Sequence, residues 1–118
     1  MKHSLYDPNN IFAKIIRGEI PCKKLDECPY TLTFFDINPQ APVHILLIPK
    51  IHISTLNDLT PKNIDIAGNL IYNAAKLANM EDIAHNGYRT VFNCNKWGGQ
   101  TVYHLHLHLL GDRKFKWI

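Results

Sequence analysis

The chain has 118 residues, which suits a single domain over 1–118 with one hydrophobic core. Its 13 basic and 10 acidic residues leave a net charge of only +3, too little to predict a nucleic-acid-binding surface. The first ten residues lack the apolar stretch of a secretion signal, and no apolar run reaches the length of a membrane span. Three scattered cysteines, Cys22, Cys28 and Cys94, favour free thiols and a cytoplasmic location.

A short helix comes first in chain order. Asn10 can cap it, apolar residues at positions 11, 12, 15 and 16 form one face, and Gly18 can end it. Strands are then predicted from their aromatic, β-branched or continuous apolar residues, and they cover 23–27, 30–37 and 43–49.

A long helix is predicted from Thr60 to about Met80, with Thr60 as its cap and Pro61 at its first position. Its apolar residues cover a wider arc than one small sheet can bury, which predicts a homodimer in which this helix meets its copy. We expect Ile66, Leu70 and Leu77 to face outward, so that Leu70→Glu would split the dimer.

Two further strands, over 87–94 and 100–111, enclose the turn "NKWGG". Strands joined by short loops, with one long helix inserted, predict an antiparallel sheet of the α+β class. The strand near Val91 is expected to pair with its twin, which would join two sheets across the dimer and protect a sheet edge.

The last of these strands contains "HLHLHLL", in which His104, His106 and His108 alternate with leucines. Residues two apart share a face of a strand, so the imidazoles are predicted to stand in a row roughly 6.5 Å apart, with the leucines against a helix. The residues alone allow polar filler on an exposed strand, a zinc site, or covalent catalysis by one histidine while its neighbours move protons. The preceding glycine pair and Thr101 favour catalysis, because backbone N–H groups and a hydroxyl there could bind phosphate.

This motif, together with "IFAKIIRGEIP", "DINPQAPVHILLIPK" and "GGQTVYHLHLHLLG", resembles the histidine triad (HIT) family and, within it, the Hint branch of purine nucleoside phosphoramidases. The resemblance implies a HIT-like fold of about five strands with one short and one long helix, and a homodimer. It also implies hydrolysis of purine nucleoside 5′-phosphoramidates to AMP or GMP through a nucleotidyl-histidine intermediate. The alternatives are a dinucleotide polyphosphate hydrolase or nucleotidyl transferase, and a nucleotide-binding regulatory module with little turnover. No cofactor, nucleic acid or membrane partner is expected.

The resemblance also implies roles by position. His106 matches the nucleophile, His108 matches a residue that contacts the phosphate and assists the leaving group, and His104 matches one that orients the nucleophile. Thr101 stands where the family usually has a serine that hydrogen-bonds the phosphate or leaving group, and Asp36 matches the carboxylate that holds the ribose hydroxyls. Further nucleotide contacts are implied at Ile37, His44, Asn93 and Gly99.

Some positions depart from the family's pattern. Asn10 and Ala13 stand where some relatives have the Cys-x-x-Cys of a zinc site, so we expect that no metal is needed. Asn95 replaces a loop glycine, which the loop can tolerate because asparagine adopts the left-handed conformation, and Trp97 could narrow the pocket. Trp117 is a candidate for contact with the partner's active site.

Overall fold

The structure is a computed structural model that describes residues 5–117. The main elements, in chain order, are α1 (Ile11–Ile16), β1 (Lys24–Glu27), β2 (Thr31–Phe35), β3 (Val43–Pro49), α2 (Ile64–Met80), β4 (Arg89–Val91) and β5 (Leu107–Gly111). A short 3-10 helix at Leu56–Asp58 precedes α2. The strands form one antiparallel sheet in the order β1-β2-β3-β5-β4, which confirms the predicted α+β architecture.

The first helix begins and ends where the sequence predicts. The Asn10 side chain accepts a hydrogen bond from the Ala13 N–H at 2.9 Å, which caps an otherwise unpaired backbone donor. Gly18 has a φ of 78°, a left-handed conformation that ends the helix at little steric cost. Within residues 5–117, no helix has both the length and the apolar character needed to cross a membrane.

The long helix starts later than predicted, at Ile64 rather than Pro61. The Thr60 N–H donates to Asn63 Oδ1 at 2.6 Å, and Thr60 Oγ1 accepts from the Lys62 N–H at 3.3 Å. These bonds close a separate turn over 61–63, and Asn63 leaves helical geometry with φ −125° and ψ 8°. Thr60 therefore caps this turn and not the helix.

The last strand is also shorter than predicted and begins at Leu107, so His104 and His106 precede it. The reason lies in β3. Leu47 pairs with Leu107, and the next β3 residue whose backbone would face the last strand is Pro49. Proline has no N–H to donate, so the ladder ends there. The Leu105 N–H instead donates to the carbonyl of Ile53 at 2.7 Å. The predicted strand over 87–94 is likewise reduced to Arg89–Val91.

The two faces of the sheet bury separate apolar clusters. On one face, leucines from the histidine segment pack with side chains of α2 and β3, as the alternation predicts. The buried members are Leu105, Leu107, Leu109, Leu70, Ala74, Leu77, Ala78, Ile45, Leu47, Ile53 and Ile83. On the other face, residues of β2 and β3 pack with α1, and the buried members are Phe12, Leu32, Phe34, Leu46 and Ile48.

This packing corrects the predicted outward face of α2. Leu70 and Leu77 are 0% and 3% exposed, and Ile66 packs against the same core, so they face inward. The apolar side chains that α2 exposes are instead Ile64, Ile71, Tyr72 and Met80.

Candidate active site

His106 lies just before β5 with its ring nearly buried. Its Nδ1 is 2.7 Å from the carbonyl oxygen of His104. A carbonyl can only accept, so Nδ1 carries the proton and Nε2 keeps its lone pair. The Phe12 ring packs edge-on against the imidazole at 4.9 Å between centroids, which helps to hold its orientation. Burial lowers the pKa of His106, so the ring is neutral at pH 7 and its Nε2 is available as a nucleophile.

A second chain of hydrogen bonds fixes His108. The Gln40 N–H, which can only donate, lies 2.9 Å from His44 Nδ1. His44 is therefore protonated on Nε2, and it donates from there to His108 Nδ1 at 2.9 Å. A neutral His108 that accepts on Nδ1 carries its own proton on Nε2. Burial, together with His106 and His44, lowers the pKa of His108 to about 4, so this neutral N–H form predominates at pH 7.

Asp36 lies at the end of β2 beside this chain. Its Oδ2 is 3.4 Å from His44 Nε2, and its Oδ1 accepts from the Asn38 N–H at 2.8 Å. Ligand atoms of Asp36, His44 and His108 all lie within 4.8 Å of one another, as in a metal site. A metal on His44 Nε2, however, would require the proton of the neutral ring to lie on Nδ1. That N–H would then face the Gln40 N–H, and two donors would oppose each other with no acceptor between them. The hydrogen bond from the Gln40 N–H therefore opposes a metal on His44 Nε2.

His104 lies behind the other histidines and is fully buried. Its Nε2 is 2.7 Å from the carbonyl oxygen of Pro49, so Nε2 carries the proton. Its Nδ1 accepts from the Tyr6 hydroxyl at 2.6 Å. Burial lowers the pKa of His104 to about 4. Both ring nitrogens are engaged in hydrogen bonds, so neither is free to act as a nucleophile or a base.

A cavity of about 250 Å³ collects several of the predicted residues. His106, His108, Thr101, Asp36 and Asn38 supply its polar lining. The rest is mainly apolar and includes Ile11, Phe12, Ile15, Ile20, Phe35 and Ile37. Such a cavity can hold a flat apolar group beside a charged one. His44 lines an adjoining, larger cavity that shares Asp36 and Ile37 with the first.

The loop before the histidines is tightly bonded within itself. The Asn93 side chain donates to the Gly98 carbonyl at 2.7 Å. The N–H groups of Gly98 and Gly99 donate to Asn95 and Lys96 carbonyls at 3.2 and 3.1 Å. Both glycine N–H groups therefore already have backbone partners in this structure. A Cβ on Gly98 would lie 2.3 Å from the Cys94 carbonyl oxygen, so close backbone contact requires glycine there.

Asn95 has a φ of 59°, the left-handed conformation that the sequence predicts for it. Trp97 is fully exposed on the loop surface, so its bulk does not narrow the pocket, contrary to expectation. Trp117 is also exposed, at 90%.

Sequence reasoning missed two residues that support the site. The buried Gln100 side chain accepts from the Asn95 N–H at 2.9 Å and donates to the carbonyls of Ser54 and Val102. It lies between a glycine pair and a threonine, where nothing in the pattern indicates burial. Tyr6 is the other, because its partner His104 is 98 residues away in the chain.

Comparison with known proteins finds the HIT domain family over residues 17–115. The purine nucleoside phosphoramidase of Escherichia coli (strain K12) is 50% identical over 103 residues, which cover 87% of this chain and 87% of that protein. The adenylylsulfatase HINT1 of Arabidopsis thaliana is 45% identical over 113 residues, 94% of this chain and 76% of that protein. Among solved structures, a HIT family hydrolase from Legionella pneumophila Philadelphia 1 matches with a TM-score of 0.90 and 50% identity, covering 92% of this chain and 97% of that one.

Proposed function

Since the chain belongs to the HIT domain family, we propose that it is a hydrolase that cleaves the P–N bond of purine nucleoside 5′-phosphoramidates. One observation carries this proposal. His106 keeps a lone pair on Nε2, whereas the neighbouring His108, with a ring-centroid distance of 5.0 Å, keeps a proton on Nε2. A nucleophile and a hydrogen-bond donor therefore line the same cavity. The similarity to a purine nucleoside phosphoramidase and to an adenylylsulfatase supports a nucleotide substrate.

The reaction follows from the two protonation states. His106 Nε2 attacks the α-phosphorus and forms a P–N bond to the enzyme, while the P–N bond to the leaving amine breaks. The neutral His108 ring keeps its Nε2 proton, because losing it would leave an imidazolate anion, and it donates this N–H as a hydrogen bond to the phosphoryl group. The leaving amine takes one proton from solvent. A water molecule then attacks the phosphorus and releases one proton to solvent, and the bond to His106 breaks. The products are a nucleoside monophosphate and an amine, and both histidines return to their starting forms.

We propose one orientation for a nucleotide in the cavity. Asp36 accepts the Asn38 N–H on Oδ1, and its carboxylate retains further lone pairs for the ribose hydroxyls. The apolar lining, including Ile37 at 82% exposure, offers a surface on which a purine can bury area. Thr101 offers a hydroxyl at the histidine end. Asn93 and Gly99 lie in the adjacent loop, and their contacts with the nucleotide are proposed from the family resemblance.

Two other functions use the same cavity. A dinucleotide polyphosphate hydrolase or nucleotidyl transferase would use His106 with a different leaving group, and a regulatory module would bind AMP with little turnover. Parallel kinetics with an adenosine 5′-phosphoramidate and a diadenosine polyphosphate separate the first two. AMP binding without turnover of either substrate would favour the module.

The substitution His106→Asn tests the nucleophile. Turnover is expected to fall by at least roughly a thousandfold while AMP binding persists, because shape is kept and the reactive lone pair is lost. His85→Asn, at an exposed position outside the site, is the matched control and should leave turnover unchanged. The wild type should also gain the mass of one nucleotidyl group on brief mixing with substrate. Near-normal turnover by His106→Asn would contradict covalent catalysis at this residue.

We further propose a homodimer joined through α2 and β4. The exposed side chains Ile64, Ile71 and Tyr72 form an apolar surface on α2, which a second copy could cover. β4 lies at the edge of the sheet, where it could pair with its twin. A cytoplasmic location is proposed from the three cysteines, which are all free. We also propose that no metal is needed, because the Gln40 N–H opposes metal binding at His44.

A further inference from the structure

Tyr6 makes a long-range contact with the histidine segment. Its hydroxyl is 2.6 Å from His104 Nδ1. The direction of this bond is fixed from the far side of the ring, where His104 Nε2 faces the Pro49 carbonyl and must carry the proton. The neutral ring therefore accepts on Nδ1, and the tyrosine hydroxyl donates.

This contact reaches the proposed nucleophile through one residue. The carbonyl of His104 is the group that holds the proton of His106 on Nδ1. Without such an acceptor an imidazole exchanges between its two neutral tautomers, and in the other one Nε2 has no lone pair. The carbonyl keeps its place only if the His104 backbone does. Tyr6 and Pro49 hold the His104 ring by its two nitrogens.

Tyr6 is itself held in place. Its ring stacks on His52 with centroids 4.3 Å apart and planes 8° from parallel. It also meets the edge of the His104 ring at 5.6 Å. Burial raises the pKa of the Tyr6 hydroxyl, and a hydrogen bond from the Asn10 side chain opposes this rise. The hydroxyl thus keeps its proton at neutral pH and is available as a donor.

We propose that Tyr6 is a positioning residue that selects the reactive tautomer of His106 by fixing His104. The effect on turnover that this inference predicts rests on the proposed function. Tyr6 lines a separate small cavity with His52 and Ser54, so its effect on the reaction passes through His104.

The substitution Tyr6→Phe removes the hydroxyl and keeps the ring that stacks on His52. We expect kcat to fall roughly 3- to 10-fold with an unchanged KM, the loss typical of one hydrogen bond. In ¹⁵N NMR spectra of the histidine rings, the Nδ1–H signal of His106 should weaken in favour of the Nε2–H form. The control is Tyr30→Phe, since Tyr30 is 69% exposed, and both readouts should match the wild type.

Two results would overturn the proposal. One is a Tyr6→Phe variant with wild-type kcat and an unchanged His106 signal. The other is a lower melting temperature or higher KM without any change in that signal, which would make Tyr6 a packing residue only. The NMR readout needs no substrate. A wild type without phosphoramidase activity would therefore contradict the proposed function while the tautomer measurement still decided the role of Tyr6.

Discussion

Acidification should weaken this fold through His104. The buried ring has a pKa of about 4, against 6.5 for an unperturbed histidine. As pH falls below 6.5, His104 takes up a proton in the unfolded chain but stays neutral in the folded chain. The free energy of unfolding therefore falls. The contribution of this histidine is complete above pH 6.5 and is lost progressively down to about pH 4.

The size of the effect follows from the two pKa values. A shift of 6.5 to about 4 corresponds to roughly 3 kcal/mol in total, of which about 2 kcal/mol is lost between pH 7 and pH 5. His104 is 0% exposed, so solvent does little to reduce this figure. Hydrogen bonds from Lys50 and Lys24 hold the pKa of the Glu27 carboxyl at about 2. Glu27 changes the stability only at lower pH, because it protonates below 4.5 even in the unfolded chain.

Urea unfolding followed by circular dichroism at pH 7 and pH 5 measures this loss. Protein concentration must be equal in both series, because the proposed dimerisation would add to apparent stability. The matched variant is His104→Gln, which retains one donor and one acceptor but does not titrate. Its stability is expected to be lower at both pH values, yet its loss between them should be smaller than the wild type's by about 2 kcal/mol. Equal losses in the two proteins would refute the assignment to His104.

Three further perturbations test the surface, the loop and the ribose contact. Ile71→Asp should convert the proposed dimer to a folded monomer in light scattering, because Ile71 is 54% exposed, whereas Leu70→Glu should unfold the chain. A dimeric Ile71→Asp variant would exclude this face. Gly98→Ala should lower both the melting temperature and turnover, because its Cβ would lie 2.3 Å from the Cys94 carbonyl oxygen; wild-type values for both would show that the loop adjusts freely. Asp36→Asn should raise KM about tenfold for a ribonucleotide substrate and little for its 2′,3′-dideoxy analogue; equal effects on both would remove Asp36 from ribose binding.

Local patterns predict the parts of this fold in which neighbours in sequence determine the structure. The apolar run over 43–49 matches β3 at both ends, since such a run has no other way to bury itself. Asn10 and Gly18 bound α1 because a cap and a left-handed residue act within one helical turn. The leucine alternation assigns one face to the core, which the packing of Leu107 against α2 residues confirms.

The errors arise where a distant residue decides the outcome. β5 begins later than predicted because Pro49, on another strand, lacks an N–H. The apolar residues of α2 cover a wide arc, and the pattern does not show which part of that arc meets the sheet. The prediction that Leu70 faces outward is therefore wrong. Similarly, Asn63 delays α2 through a bond to Thr60 that propensity does not reveal.

The sequence motif presents three equivalent histidines, yet the folded chain gives each a different chemical form. The difference comes from backbone partners. A carbonyl faces Nδ1 of His106 and leaves Nε2 with a lone pair, while a carbonyl faces Nε2 of His104 and leaves Nδ1 to Tyr6. The Gln40 N–H donates to His44, and His44 in turn donates to His108 Nδ1, so the proton of His108 lies on Nε2. Burial keeps these rings neutral, and only a neutral imidazole, which carries a single N–H, has two distinct tautomers. The spacing of the motif therefore brings the three histidines together, but the loops and strand ends that present backbone partners determine which ring nitrogen keeps a lone pair and which carries the proton.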